Sequence, residues 1–233
     1  MSAARKGRAV AQCRAFVREH DLDAYLATLL APQDDQPRLF AIWTIAADAL
    51  RLPWSVSEPA MAAIRLQWWR EALKAGQGHP ALQLLAGEDM DGLDAFLDAC
   101  ERLHGAPLAT VEACLEWGRG CFSPLMEALA GEADARLAGG HGLVFVLRRA
   151  PFRRANGLFL MAKTLERRDV LEGAEAELAG SVAFRRALLP FLLSRPWLKR
   201  LRKGPNAGFP QWRRQLHLAG QLAKGMLTNP ARR

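Results

Sequence analysis

Two arginine pairs, Arg148–Arg149 and Arg153–Arg154, fall within "VLRRAPFRRANG" (146–157). Arginine grips phosphate bidentately, so two pairs around one helix end suit a diphosphate or a lipid head group. The same residues also suit a solvated helix end, where cations offset the C-terminal dipole. A third basic stretch, "FRRALLPFLLSRPWLKRLRK" (184–203), mixes Leu, Phe and Trp with Lys and Arg. Basic amphipathic segments of this kind lie at bilayer interfaces, where each cation contributes about 1 kcal/mol on anionic lipid. Arg195, Trp197, Lys199, Arg200, Arg202 and Lys203 are therefore the candidate membrane-surface residues. A core helix with a snorkelling basic rim has the same composition.

Other chemistry is excluded by spacing. The five histidines (His20, His79, His104, His141, His217) form no H-x-x-x-H or H-E-x-x-H pattern, so no zinc site is expected. No G-x-S-x-G, Walker loop or G-x-G-x-x-G occurs. "QDDQP" (33–37) places two carboxylates beside a proline and reads as a solvated turn. Cys13, Cys100, Cys114 and Cys121 contain no C-x-x-C pair and read as small core residues of a reducing compartment.

Charge is divided unevenly along the 233 residues. Residues 1–140 carry 13 Lys/Arg and 19 Asp/Glu, net −6, whereas residues 141–233 carry 19 and 5, net +14. The second part calls for a polyanionic partner, a membrane surface or a phosphorylated ligand. Nucleic acid is not expected, because neither exposed interleaved aromatics nor a helix-turn-helix pattern accompanies the basic residues. The Arg-rich start "MSAARKGRAV" lacks the apolar region of a secretory signal but is compatible with a trimmed transit peptide. No run reaches the roughly 20 apolar residues of a spanning helix.

The elements that must position these residues are helical. Val10, Cys13 and Val17 share a face, and Asp21 or Asp23 can cap "AYLATLL". Pro37 suits the first turn of a helix through Phe40, Trp43, Ala47 and Leu50. Pro53 in "ALRLPWSVSEP" (49–59) predicts that this helix ends at Leu52. Ser57 is the predicted cap of the next helix, which runs to Gly76. Further helices are predicted over 91–104, 108–129, 134–149, 174–193 and 210–226. "GLVFV" (142–146) is the best strand candidate, but it lies inside a helical pattern. One domain over 11–226 is expected, with flexible ends at 1–10 and 227–233.

Several stretches together resemble the squalene/phytoene synthase family. They are "DAYLATLLAP" (23–32), "RLFAIWTI" (38–45), "VSEPAMAAIRLQWWREAL" (56–73), "LDAFLDACERL" (93–103), "GLVFVLRRAPFRRANGLFL" (142–160), "LLPFLLSRPWLKRLRK" (188–203) and "PQWRRQLHLAGQLAKG" (210–225). The "SEP…IRLQWWREAL" block is the most specific. It is similar to a short branch that includes the mitochondrial complex I assembly factor with a phytoene-synthase-like fold. The resemblance implies an all-α isoprenoid-synthase-like bundle around a central cavity. Trp43, Asp48, Trp54, Arg65, Trp68 and Trp69 are the residues expected to line it.

Active members of the family condense two prenyl diphosphates head to head, holding Mg²⁺ on two Asp-rich segments. Here the matching positions are Leu50, Arg51 and Trp54 in the first segment, and Arg149 and Arg153 in the second; none is a carboxylate. An arginine about 4 Å from a divalent ion, at an effective dielectric near 20, is repelled by about 8 kcal/mol. The resemblance therefore implies a degenerate, non-catalytic member with no cofactor; Mg²⁺ is expected only if an altered-site prenyltransferase survives. Arg51, Arg148, Arg149 and Arg153 are the candidate diphosphate or anion ligands. Expected partners are an anionic membrane surface, a prenyl or lipid phosphate, or a respiratory-complex subunit. The expected location is cytoplasmic at the inner membrane, or the matrix of a mitochondrion.

Overall fold

A computed structural model describes residues 2–88, 90–179, 186–205 and 208–228. Among these residues the chain forms twelve α-helices and no strand. The first is α1 (Ala3–His20), so the segment expected as a flexible lead begins a helix at its third residue, and Ala9 is already buried. Asp21 caps α2 (Leu22–Thr28), its carboxylate accepting from Ala24 N at 2.9 Å.

The third helix, α3 (Gln36–Ser55), is apolar on every side and buried from Leu39 to Leu50, as a helix enclosed by others must be. It does not stop at Leu52. Pro53 stands two residues from its end, so the ring removes a single ladder bond, and Leu52 and Pro53 are both buried. The last turn closes through Val56 N to Leu52 O at 3.0 Å, while Ala155 N donates to Pro53 O at 2.8 Å. Tertiary packing thus outweighs the local stop signal. The following α4 (Pro59–Ala75) is preceded by Glu58 rather than capped by Ser57, and it ends at Gly76 in the left-handed region.

After α5 (Pro80–Leu84) and α6 (Asp91–Glu101), a 3₁₀ turn over Arg102–His104 leads into α7 (Val111–Ala130), capped by Thr110 Oγ1. Asp134 caps α8 (Ala135–Arg149), which contains "GLVFV" as helix. The glycines of α8 have a packing reason. A Cβ on Gly142 would stand 2.4 Å from the Cα of Gly118 in α7, so only two glycines allow these backbones to approach so closely. The remaining helices are α9 (Arg167–Ala179), α10 (Leu189–Leu192), α11 (Ser194–Leu201) and α12 (Gln211–Thr228). The helix predicted over 174–193 is therefore not one element: α9 starts earlier and ends at Ala179, residues 180–185 lie outside the described set, and Pro190 opens α10. Of the C-terminal segment expected to be flexible, 229–233 also lie outside it.

Between α3, α7, α8 and α10 aromatic rings gather. Trp43 and Phe191 are 5.7 Å apart, Phe122 and His141 4.5 Å, His141 and Phe191 4.8 Å, and Trp117 and Phe145 5.4 Å. Such edge and tilted contacts each add about 1 kcal/mol beyond the area they bury.

Candidate functional site

The C-terminal ends of α3 and α8 come together with the loop 150–162. On α3, Asp48 is fully buried and accepts four hydrogen bonds. Arg51 gives two, from Nε at 3.0 Å and Nη2 at 2.7 Å; Arg65 Nε of α4 gives one at 3.0 Å, and Trp69 Nε1 one at 2.8 Å. Burial alone would raise the Asp48 carboxyl, but the Trp69 donor and the two guanidiniums outweigh it and hold it below the usual carboxylate range. Arg65 also stacks on Trp68 at 4.8 Å, and Trp68 lies against Trp69. The six residues expected to line a cavity thus divide. Asp48, Arg65, Trp68 and Trp69 form one cluster where α3 meets α4, Trp43 lies in the central rings, and Trp54 turns towards α8.

The four candidate anion ligands separate as well. Arg51 is taken by Asp48, and Arg148 donates to the buried Asp23 at 3.2 Å while covering Trp197 at 4.0 Å. Arg153 is exposed and lies over Phe159. Arg149 differs. It stacks on Trp54 at 4.8 Å and joins no ion pair or side-chain hydrogen bond among the described residues. Burial and then the neighbouring Arg148 push its guanidinium below the ordinary value, and Asp21 opposes them from a distance. Beneath it, Trp54 Nε1 is buried with no partner. A guanidinium with no ion-pair partner among the described residues therefore lies over the face of an indole, an arrangement in which the guanidinium can accept an anion.

The donor set does not fit a divalent metal. Mg²⁺ requires several hard oxygen ligands, but the one carboxylate at the end of α3 is enclosed by two arginines and an indole. The facing position on α8 is Arg149. Among the described residues no three His, Cys, Asp or Glu side chains gather elsewhere.

The basic segment divides between packing and surface. Trp197 points inward, 8 % exposed, with Nε1 donating to Asp23 at 2.7 Å, because Asp23 needs donors in the core. Arg195 donates to Leu178 O at 3.1 Å, Arg200 to Gly208 O, and Arg202 pairs with Glu175. Arg195, Lys199, Arg202 and Lys203 are all exposed. Exposed aromatics lie outside this segment, at Phe152 in the 150–162 loop and at Trp212 on α12, the latter with Leu216 one turn on. The i, i+4 spacing of Trp212 and Leu216 was the available signal.

Sequence reasoning also missed the second buried carboxylate, Asp23. It accepts from Arg148, from Trp197 and from Arg214 at 2.9 Å, joining α2, α8, α11 and α12. Nothing in the local sequence signals a contact 191 residues long.

Comparison with known proteins bears on the fold. The squalene/phytoene synthase family model matches residues 17–116. The fold is similar to that of a dehydrosqualene synthase crystallised in complex with ligand, with a TM-score of 0.64 at 11% identity. The alignment covers 95% of this chain and 98% of that one. No curated protein sequence matches.

Proposed function

We propose that this chain is a squalene/phytoene synthase-like protein that has exchanged metal-dependent chemistry for direct anion binding, and that it is not a prenyltransferase. The observation carrying this reading is the state of Asp48. The carboxylate nearest the first Asp-rich position is committed to Arg51, Arg65 and Trp69, while Arg149 stands free on Trp54. Ionising a prenyl diphosphate needs charge neutralisation on the leaving group as the bond breaks. A single guanidinium on an indole can hold a phosphate but supplies less of that than clustered divalent ions.

Incubation with farnesyl or geranylgeranyl diphosphate, with and without Mg²⁺, tests the reading. No diphosphate release above background is expected. Mg²⁺-dependent release would overturn it in favour of an altered-site transferase. Binding is read by calorimetry with the non-hydrolysable farnesyl thiodiphosphate, where Arg149→Gln should weaken affinity by about tenfold or more.

The site of action in this proposal is an anionic membrane surface. Among the described residues no helix is long and apolar enough to cross a membrane. The net +14 of residues 141–233 and the exposed Trp212 and Leu216 support peripheral contact instead. Salt-sensitive co-sedimentation with phosphatidylglycerol vesicles is expected, and no sedimentation at low salt removes this part. A role in assembling respiratory complex I rests on the "SEP…IRLQWWREAL" resemblance. A deletion strain with unchanged complex I content and NADH oxidation would remove it.

A further inference from the structure

The second arginine of the 153–154 pair goes the opposite way from the first. Whereas Arg153 is exposed, Arg154 is 2 % exposed. It lies in a loop fastened on both sides. Ala155 N donates to Pro53 O at 2.8 Å and Arg154 N to Leu158 O at 2.8 Å. Leu108 and residues 160–162 exchange two bonds of 2.9 Å, Leu108 N to Leu160 O and Ala162 N to Leu108 O. Gly157, at φ 81°, makes the turn between them. The loop drives the guanidinium beneath the 3₁₀ turn after α6, where Nη1 donates to Leu103 O.

Its other donors find nothing. Arg154 Nε and Nη2 are buried without a partner, and so is Nε2 of His104, the residue after Leu103. A guanidinium stays charged in a protein, and a buried charge without a counter-charge is strongly unfavourable. Among the described residues no carboxylate fills that role. Burial alone acts on Arg154, and Glu101, which acts on His104, is half-committed to Arg70 at 2.9 Å on the surface. A water molecule could accept the N–H groups, but it would leave the charge unbalanced.

We propose that Arg154 and His104 form a binding site for a small monovalent inorganic anion of chloride size. Such an ion accepts from Arg154 Nε–H and Nη2–H and from His104 as its Nε2–H tautomer, and it neutralises the guanidinium. The orphan atoms are closed to solvent, which excludes an organic phosphate here. The ion fastens loop 150–162 to the end of α6, and that loop follows directly from Arg149. The site is separate from the Arg149–Trp54 pair and stands whether or not that pair binds a head group.

Thermal melts of the full chain in sodium bromide against sodium gluconate, at constant ionic strength, test this together with bromide anomalous scattering from crystals. The expected result is a saturable rise in Tm with bromide and an anomalous peak beside Arg154 Nη2. His104→Gln should raise the bromide midpoint by about tenfold, and Arg154→Met should remove the dependence. If Arg154→Met does not fold, His104→Gln and the wild-type peak carry the decision. A peak at Arg154 without saturable stabilisation in solution would mean an adventitious ion only and would overturn the proposal. So would density for water alone, or an undiminished bromide response in His104→Gln.

Discussion

Replacing Asp48 by Asn separates a spent carboxylate from a metal ligand. In the native fold Asp48 accepts from Arg51, Arg65 and Trp69, and its own side chain is 2 % exposed. Hydrogen bonds to a charged group contribute about 1.5–3 kcal/mol each when buried. The two arginines are 37 % and 44 % exposed, so most of their energy is recovered from water once the charge is gone. Trp69, 1 % exposed, cannot turn to water. Asparagine can still accept from the indole, but its NH₂ group then faces a guanidinium. A loss of about 3 kcal/mol is expected, or roughly 6–12 °C in Tm for a domain of this size. The pH dependence fixes the cause. The folded carboxyl titrates below its ordinary 3.8, so its contribution is complete above that value and is lost as the pH falls through the folded one. The gap between wild type and Asp48→Asn, from urea denaturation, should therefore be constant from pH 7 to 5 and narrow below 4. A gap under 0.5 kcal/mol, by the same order-of-magnitude reasoning, would refute the account of the cluster. So would a millimolar Mg²⁺ stabilisation of the wild type that the variant abolishes.

Other outcomes follow from the same structure. Gly142→Ala places a methyl group 2.4 Å from the Gly118 Cα, and forcing α7 and α8 apart should cost about 3 kcal/mol or abolish soluble expression. Circular dichroism melts of Gly142→Ala beside Gly120→Ala, where nothing is near, check this. Burial holds the His141 imidazole down at about 3, against 6.5 unfolded, so its neutral form is favoured and stability should fall by about 1.4 kcal/mol per pH unit below 6.5. His141→Phe should remove one proton of that uptake between pH 6 and 4 in urea titrations. Trp54→Leu should weaken farnesyl thiodiphosphate binding less than Arg149→Gln does, because it removes only the face on which the guanidinium is held.

The all-α class and most helix positions were legible without coordinates. These are local properties: apolar spacing, caps such as Asp21, Thr110 and Asp134, and residue identities. The errors arose where packing overrides a local rule. Pro53 reads as a stop, yet the buried surroundings of Leu52 and the bond from Ala155 carry α3 to Ser55. Trp197 reads as an interfacial anchor, yet Asp23 draws its indole inward.

The candidate site divides along the same line. Composition alone supplies a surplus of arginines in the second part of the chain, and it determines that Leu50, Arg51, Trp54, Arg149 and Arg153 cannot present clustered carboxylates to a metal. Which arginine stays free depends on where each carboxylate comes to rest. Asp48 takes Arg51 and Arg65, Asp23 takes Arg148 and Arg214, and Arg149, beside Arg148 in sequence, is left on Trp54. Side-chain identity sets the charge available, whereas only the packing of distant helices brings a buried acid within hydrogen-bonding reach of one guanidinium and not its neighbour.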